Sequence, residues 1–391
     1  MYSLIASAIN HPDAINPYQG LFNHRIIRAL SETGVDLSAV SPRPFAPPVG
    51  PYSAYASLPE AERWDGYTVH HPRFWYLLPK RLLYAVSGDS YAKRVPPYLE
   101  RTFDPPDVVH ACHIYPDGYG TLPYAREHDL PLFVVAHGAL LNGFEDLPPG
   151  VAGRVRETLA AAEGVLCVSD ALAERARSLV DASKVATVPI GADPGKFPLG
   201  ERARLRSERG LDPEETLVLF VGQFSDRKGV PELLELLSTR TFPGVTFAFA
   251  GHGGDRETDL RRAVADREDA TVHAGLPSER LREWFAAADL LVLPSHAEGR
   301  PTVVYEAMAS ETAVLASAVG GVPEQVADSE AGRLLEPGDV TALGDALADL
   351  SADPDRLRKM GAAGRRRLEA NDWTWSGHAR RVSEIHREAL R

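Results

Sequence analysis

The chain has 391 residues, too many for one ordinary hydrophobic core and enough for two. Hydrophobic residues at 44% and charged residues at 25% are globular proportions and exclude a disordered or fibrous chain. Asp and Glu outnumber Lys and Arg by 54 to 42, a formal net charge of −12, and a surface of that sign repels phosphate backbones and argues against a nucleic-acid partner.

In chain order, residues 2–9 predict a buried first strand, and residues 10–20 a polar loop. Leu21, Ile26, Ile27 and Leu30 share one face of a helix over 21–33 that Gly34 stops. Residues 35–40 read as the next strand, so the chain opens as a βαβ unit, the start of a parallel sheet. Residues 41–59, rich in Pro, Ala, Ser and Tyr, read as a long loop. Strands are expected at 108–111, 132–136, 164–168 and 187–190, with Ser169 and Asp170 capping a helix over 171–180. Residues 191–215, with Gly191, Pro194, Gly195, Pro198, Gly200 and Pro213, form the expected linker. A second series then alternates strands at 217–221, 245–250, 271–274, 290–293 and 313–316 with helices at 231–237, 255–266, 278–288 and 302–310. Residues 341–390 are mostly helical in pattern.

Two cysteines, Cys112 and Cys167, lie far apart without CxxC spacing, which disfavours a disulfide framework or a zinc site and suits a reducing compartment. The first ten residues lack the basic and apolar regions of a signal peptide, and no stretch approaches the roughly 20 apolar residues of a transmembrane helix.

The densest chemistry lies in Pro294-Ser-His-Ala-Glu298-Gly299-Arg-Pro301-Thr302-Val303-Val-Tyr-Glu306-Ala-Met-Ala309. Glu298 falls in a loop after a strand, Pro301 where a first helical residue is favoured, and Glu306 one to two turns into that helix. Free N–H groups at such a helix N-terminus can hold phosphate oxygens, while the two carboxylates accept bonds from sugar and ribose hydroxyls. Either glutamate alone fits a plainer role, as a solvated loop residue or an acid favouring the helix dipole. The Gly320-Gly321 loop that follows tips the pattern toward a ligand.

At these residues the sequence resembles the retaining glycosyltransferases of family 4, which have the GT-B fold. Their hallmark is two glutamates seven residues apart in a frame E-G-x-P-x-x-x-x-E-A-M-A, and Glu298 and Glu306 fit it in full. Glu311 and Ala313 stand where the family has Gly and Pro, a departure expected to touch a turn and not the chemistry. Gly320-Gly321-Val-Pro323-Glu324 is similar to the family's G-G-x-x-E, and residues 332–339 to the segment after it. Val221-Gly222-Gln223-Phe224-Ser-Asp-Arg227-Lys228-Gly229 is similar to V-G-R-L-x-x-x-K-G, whose Arg and Lys bind the donor diphosphate. Lys228 matches the Lys, but Gln223 replaces the Arg, and Arg227 is the nearby substitute. Gly251-His252-Gly253-Gly254 offers close backbone approach, or a plain turn. Val272-His-Ala-Gly275-Leu276 resembles the loop near the nucleobase, and residues 188–197 the family's V-P-N-G-V-D-x-x-x-F.

In the first half, Gln19-Gly20 resembles the glycine loop that approaches the donor phosphates. The absence of G-x-G-x-x-G there argues against a dinucleotide dehydrogenase. His137-Gly138 matches the family's H-G, whose His bonds the transferred sugar; a strand-end His bonded to backbone is the plainer alternative. His110-Ala-Cys112-His113 invites a metal reading that lacks a further ligand, and Asp353-Pro-Asp355 reads better as a helix cap than as a metal-binding D-x-D.

The resemblance implies an α/β GT-B fold with two Rossmann-like doubly wound domains facing across a cleft. Residues 1–198 are the expected acceptor-binding domain, with helix 376–391 packing back on it, and 199–375 the nucleotide-sugar domain. The implied activity is retaining transfer of a hexosyl group from a nucleotide-diphospho-sugar to a glycan or lipid-linked acceptor, without cofactor, obligatory metal or enzyme nucleophile. Glu298, His137 and Lys228 are the implied catalytic residues. Gly20, Gln223, Arg227, Lys228, Gly251, Leu276, Glu298, Gly299, Pro301, Thr302, Val303 and Glu306 are the implied donor-binding residues. The alternatives are an epimerase acting on a nucleotide-sugar, against which the Glu298–Glu306 frame argues, and a non-catalytic nucleotide-sugar-binding protein, which Gln223 keeps open. The expected location is cytoplasmic, and residues 69–84, which mix aromatics with bases, suggest either peripheral contact with the inner membrane face or a helix packed on the domain.

Overall fold

In a computed structural model the described residues are 2–6, 10–45, 53–75, 80–326 and 330–391. They fall into two compact units, residues 1–189 with 375–391, and residues 190–374.

The first unit holds an eight-stranded sheet. Its strands are β1 (Tyr2–Ala6), β2 (Asp36–Val40), β4 (Ala61–Trp64), β5 (Tyr67–His70), β7 (Val108–Ala111), β8 (Leu132–Ala136), β9 (Gly164–Cys167) and β10 (Val185–Thr187). A two-stranded ribbon, β3 (Arg43–Pro44) with β6 (Arg73–Phe74), stands beside it. The sheet order is β10-β9-β8-β7-β1-β2-β5-β4, parallel except for β4 against β5. Every residue of β7, β8 and β9 is buried, as expected of parallel strands covered on both faces. The order reverses between β1 and β7, so the loops leaving those two strands part to opposite sides. The C-terminal helix Trp375–Ala389 packs on the helix Leu21–Ser31, with Ser383 Oγ 3.2 Å from Thr33 Oγ1 and the Arg25 guanidinium 5.7 Å from the Trp375 ring centre.

The second unit holds a six-stranded, all-parallel sheet: β11 (Thr216–Gly222), β12 (Val245–Gly251), β13 (Ala270–Ala274), β14 (Leu290–Leu293), β15 (Ala313–Ser317) and β16 (Gly332–Leu335). Its order, β13-β12-β11-β14-β15-β16, is that of a doubly wound nucleotide-binding sheet. Phe220, Phe247, Phe249, Leu290, Val292 and Leu315 project from it into one core with Leu233, Leu236, Leu343 and Leu347 from the covering helices. Each such side chain contributes on the order of 2 kcal/mol by leaving water. The order reverses between β11 and β14, where the register pairs Leu219 with Leu291.

Several expectations change. The chain passes between units at Pro189–Ile190 and Thr374–Trp375, not at 198 and 375, because residues 191–197 pack with the second unit. Ala192 N–H donates to the Trp373 carbonyl (3.1 Å), and the Phe197 ring lies 6.2 Å from that of Phe285. The expected linker contains a helix, Arg202–Ser207, whose Arg202 and Arg206 pair with Asp289. The strand expected at 187–190 is β10, ending at Thr187. Of the loop expected over 41–59, Arg43–Pro44 is a strand and Ser53–Ser57 a 3-10 turn. Helices Pro96–Thr102, Tyr119–Glu127 and Pro149–Ala161, and strands β4, β5 and β16, lie outside the expected elements, while the helix Lys80–Arg94 begins inside the stretch 69–84 for which a packed helix is one of the two readings. Asp353 does cap its helix, accepting from Arg356 N–H at 3.0 Å.

Candidate active site

The candidate side chains of the second unit come from loops at the carboxyl ends of neighbouring strands and from the helix Thr302–Ala309. β11 and β14 are adjacent, so the loop after β11, with Gln223, Arg227 and Lys228, meets the loop after β14, with Glu298. Lys228 Nζ lies 2.5 Å from Glu298 Oε1, and the two side chains are 13% and 6% exposed. A carboxylate that buried requires a partner, and Lys228 supplies one. The backbone ties the loops as well. His296 N–H donates to the Arg227 carbonyl (2.9 Å), and the Arg227 guanidinium donates to the Ala297 carbonyl (3.2 Å). Gly229, at φ 73°, has no room for a Cβ, which would strike the Pro294 carbonyl.

Pro301 is not the first helical residue. It is extended, at φ −68° and ψ 126°, and caps the helix Thr302–Ala309. Thr302 and Val303 are half-buried, while Glu306, in the second turn, is buried. Thr302 and Val303 lie in the first turn, where N–H groups have no intrahelical acceptor. Gly299 accepts from Gly321 N–H at 2.7 Å, and Gly320, at φ 52°, packs so closely on the Glu298 carbonyl that only hydrogen fits. At the ends of β12 and β13, Gly275 N–H donates to the Gly251 carbonyl (2.8 Å), and Leu276 follows, half-buried. Gly251 itself is closed to a Cβ by the Gly222 carbonyl. Gln223 and Arg227 are exposed. The structure therefore brings Lys228 to Glu298 and Gly251 to Gly275, and places Gln223 at the end of β11 without a cation at its own position.

In the first unit, Gly20 has φ 70° and begins the helix Leu21–Ser31, and a Cβ there would strike the Asn10 carbonyl. The Asn23 amide donates to that same carbonyl at 2.6 Å, so the loop after β1 is folded onto the start of the helix. His137, just past β8, packs its ring 4.9 Å from Phe22 and 5.1 Å from His113, and among the described residues no hydrogen-bond partner reaches its Nε2. Burial, then the His113 charge, push its pKa well below the ordinary value, so the ring is neutral near pH 7. His113 stands with its Nδ1 3.0 Å from Asp117 Oδ2 and its Nε2 3.3 Å from the Asn10 amide, while His110 Nδ1 lies 3.2 Å from His386 Nε2. The two histidines of the metal reading thus turn to different partners. Among the described residues no three His, Cys, Asp or Glu side chains are grouped to hold a metal ion.

Residues 201–367 match the family "Glycosyl transferases group 1", and residues 19–196 match "Glycosyltransferase Family 4". The D-inositol 3-phosphate glycosyltransferase of Nocardia farcinica is 34% identical over 73% of this chain and 67% of its own. The chain is a family 4 glycosyltransferase. The alpha-maltose-1-phosphate synthase of Mycolicibacterium smegmatis is 32% identical to the transferase over 66% of this chain and 74% of its own. A sucrose-phosphate synthase from Thermosynechococcus elongatus, 21% identical, shares the GT-B fold with a TM-score of 0.84 over 100% of this chain and 99% of its own. The transferase accordingly moves a sugar from a nucleotide-sugar donor. The sequence frame points to the loops after β11 and β14 but not to Arg300, which takes the variable place between Gly299 and Pro301; a buried arginine is visible only once its partners are. No helix among the described residues is long and apolar enough to cross a membrane.

Proposed function

We propose that the transferase moves a hexosyl group with retention, and that its donor is held by the loops after β11 and β14. The observation that carries this is the Lys228–Glu298 pair: a cation and a carboxylate 2.5 Å apart beside a helix N-terminus at the switch point of a doubly wound sheet. Lys228 takes the donor diphosphate, with Arg227 near it in place of the family's arginine. The N–H groups at Gly299, Thr302 and Val303 take phosphate oxygens, with Pro301 capping that turn. Glu298 accepts from sugar hydroxyls and Glu306 from the ribose, while Gly251 and Leu276 border the nucleobase. For the first unit the family assignment stands as our proposal too, with Gly20 approaching the phosphates and His137 bonding the transferred sugar. Its unpartnered, neutral Nε2 suits a hydroxyl ligand.

Bond breaking leaves negative charge on the departing diphosphate, and a preorganised ammonium stabilises that charge without reorganising. In our reading the acceptor attacks the face the diphosphate leaves, and a β-phosphate oxygen takes its proton, so Glu298 binds and does not attack. We propose a glycan or lipid-linked acceptor and a cytoplasmic location, with the exposed Trp75 of residues 69–84 and the neighbouring Arg94 resting on an anionic membrane, while Val69, His71 and Phe74 of the same stretch are buried in the unit. Of that stretch, Trp75 is exposed with Arg94 5.5 Å from its ring centre, and residues 76–79 lie outside the described residues.

The test is a thermal-shift screen of the full chain with UDP, GDP, ADP and their sugars, with and without EDTA. One nucleotide should stabilise the chain regardless of EDTA, by about 2.7 kcal/mol at 100 times Kd. No shift with any of them would contradict the donor site. Product analysis with the donor so found then covers glycans, lipid-linked sugars and, since the relatives are named for inositol 3-phosphate and maltose 1-phosphate, phosphorylated sugars and polyols.

A further inference from the structure

Arg300 lies in the donor loop, yet its side chain turns away from solvent into the second unit. The residue is 6% exposed. Its Nε donates to the Tyr305 hydroxyl, and its Nη1 donates to Glu324 Oε2 at 2.6 Å. The guanidinium carbon lies 4.9 Å from the Trp373 ring centre and 5.6 Å from that of Tyr305. Trp373 carries a second cation, the Arg367 guanidinium at 5.2 Å, which donates to the Glu324 and Gln325 carbonyls at 2.9 and 2.8 Å. A buried guanidinium is tolerated when its charge is paired, and here Glu324 pairs it while the Tyr305 hydroxyl takes the Nε donor and the Trp373 ring faces the cation.

The partners decide what the cluster does. Glu324 and Gln325 belong to the short helix Val322–Val326, which follows Gly320 and Gly321. Gly321 already grips the Gly299 carbonyl, and the Gln325 amide grips the Pro301 carbonyl at 3.1 Å. The stretch Glu298–Pro301 is therefore held to residues 320–325 at three successive positions: by backbone at Gly299, by ion pair at Arg300, by side-chain amide at Pro301. The middle tie is the strongest kind, a charge-assisted bond in a buried setting. Without it the loop keeps its neutral bonds at Gly299 and Pro301 and its ties to the Lys228 loop, but loses its one charged tie to residues 320–325, so the backbone that carries Glu298 is held less firmly on that side. Trp373 adds a reach beyond the loop, because it precedes the point where the chain leaves this unit and its carbonyl accepts from Ala192 N–H, where the chain has just entered it.

We infer that Arg300 is a positioning residue for sugar transfer, setting the Glu298 loop through Glu324, Tyr305 and Trp373 without touching the donor. This rests on the assignment of Glu298 to the donor sugar, and the test separates the two. The full chain is compared with Arg300→Met, Arg300→Lys and Tyr305→Phe. The probes are UDP, GDP and ADP by calorimetry, and the matching nucleotide-sugar by turnover. Arg300→Met should lower kcat/KM at least tenfold while the Kd of the nucleoside diphosphate changes less than threefold, since the loop's sugar contacts move and the Lys228 site does not. Arg300→Lys should recover part of the loss by restoring the charge on Glu324. If Arg300→Met does not fold, Tyr305→Phe decides, with a several-fold loss of kcat/KM expected at unchanged nucleoside diphosphate affinity. Parental kcat/KM in the folded variants overturns the inference, and so does a loss that tracks nucleoside diphosphate affinity one for one. If instead the parent chain turns over sugar but Glu298→Ala does so equally well, the donor assignment itself fails.

Discussion

Lys228 and Glu298 stand 70 positions apart in the chain and 2.5 Å apart in space, and each is the other's partner inside the loops we propose to hold the donor. A diphosphate that takes the ammonium must compete with a carboxylate already there. Glu298→Gln should therefore leave nucleoside diphosphate affinity equal or higher while lowering sugar transfer by about a hundredfold or more. Calorimetry and turnover on the same preparation check both halves, and weaker diphosphate binding would mean that the carboxylate helps hold it.

Lys228→Ala acts in the opposite sense. It removes the cation and leaves Glu298 with one partner fewer, so nucleoside diphosphate affinity should fall by about 1.5–3 kcal/mol, the worth of a hydrogen bond to a charged group. Equal affinity in calorimetry would remove Lys228 from the diphosphate site.

Gln223→Arg supplies the charge that the family frame has and this chain lacks. Gln223 is exposed, so the gain is that of a surface cation: about two- to fivefold tighter nucleoside diphosphate binding, shrinking as salt rises. A titration at low and high salt reads it, and no gain at either would mean that the end of β11 does not face the diphosphate.

Gly320→Ala tests the backbone that sets Glu298. At φ 52° a Cβ is strained, and it would also meet the Glu298 carbonyl. The expected cost is about 1–3 kcal/mol of stability, with transfer falling further than the folded fraction does. Melting curves and turnover together check this; a loss of stability alone would confine Gly320 to folding.

The pH dependence of stability follows from the buried histidines of the first unit, His11, His110, His137, His378 and His386 among them. Burial lowers His11 to about 3 and both His378 and His386 to about 4, against 6.5 when free. Between those values the unfolded chain binds protons that the folded chain does not. Stability is therefore full above pH 6.5 and falls as pH drops from 6.5 toward 4, by up to about 1.4 kcal/mol per pH unit for each histidine. Melting temperature should decline across that window, and a flat profile from pH 7.5 to 4.5 would contradict the burial of these rings as neutral species.

Much of this was legible in the chain. The runs 217–221 and 290–293 are apolar throughout and 245–250 is so but for Thr246, and each lies in a largely buried strand. The frame around Glu298 and Glu306 was readable because its spacing is local. The hairpin β4–β5 was missed although its signal was present: Asp65-Gly66, with Gly66 at φ 89°, joins strands in which Tyr67 and Val69 are buried and Thr68 is exposed. The helix Lys80–Arg94 gave no such signal, because its faces are poorly segregated and packing rather than pattern holds it.

What the sequence determined by itself is the alternation of strands and helices and the family frame around Glu298 and Glu306, since caps, apolar runs and motif spacing act over a few residues. Tertiary structure alone decided which loops meet. The apolar pattern of a buried parallel strand says that it is covered on both faces but not which strand lies beside it, because any apolar neighbour satisfies the pattern equally. Only the packed order β13-β12-β11-β14-β15-β16 puts Lys228 on Glu298. And only the folded core, by excluding water from the Arg300 guanidinium, makes Glu324, Tyr305 and Trp373 its obligatory partners.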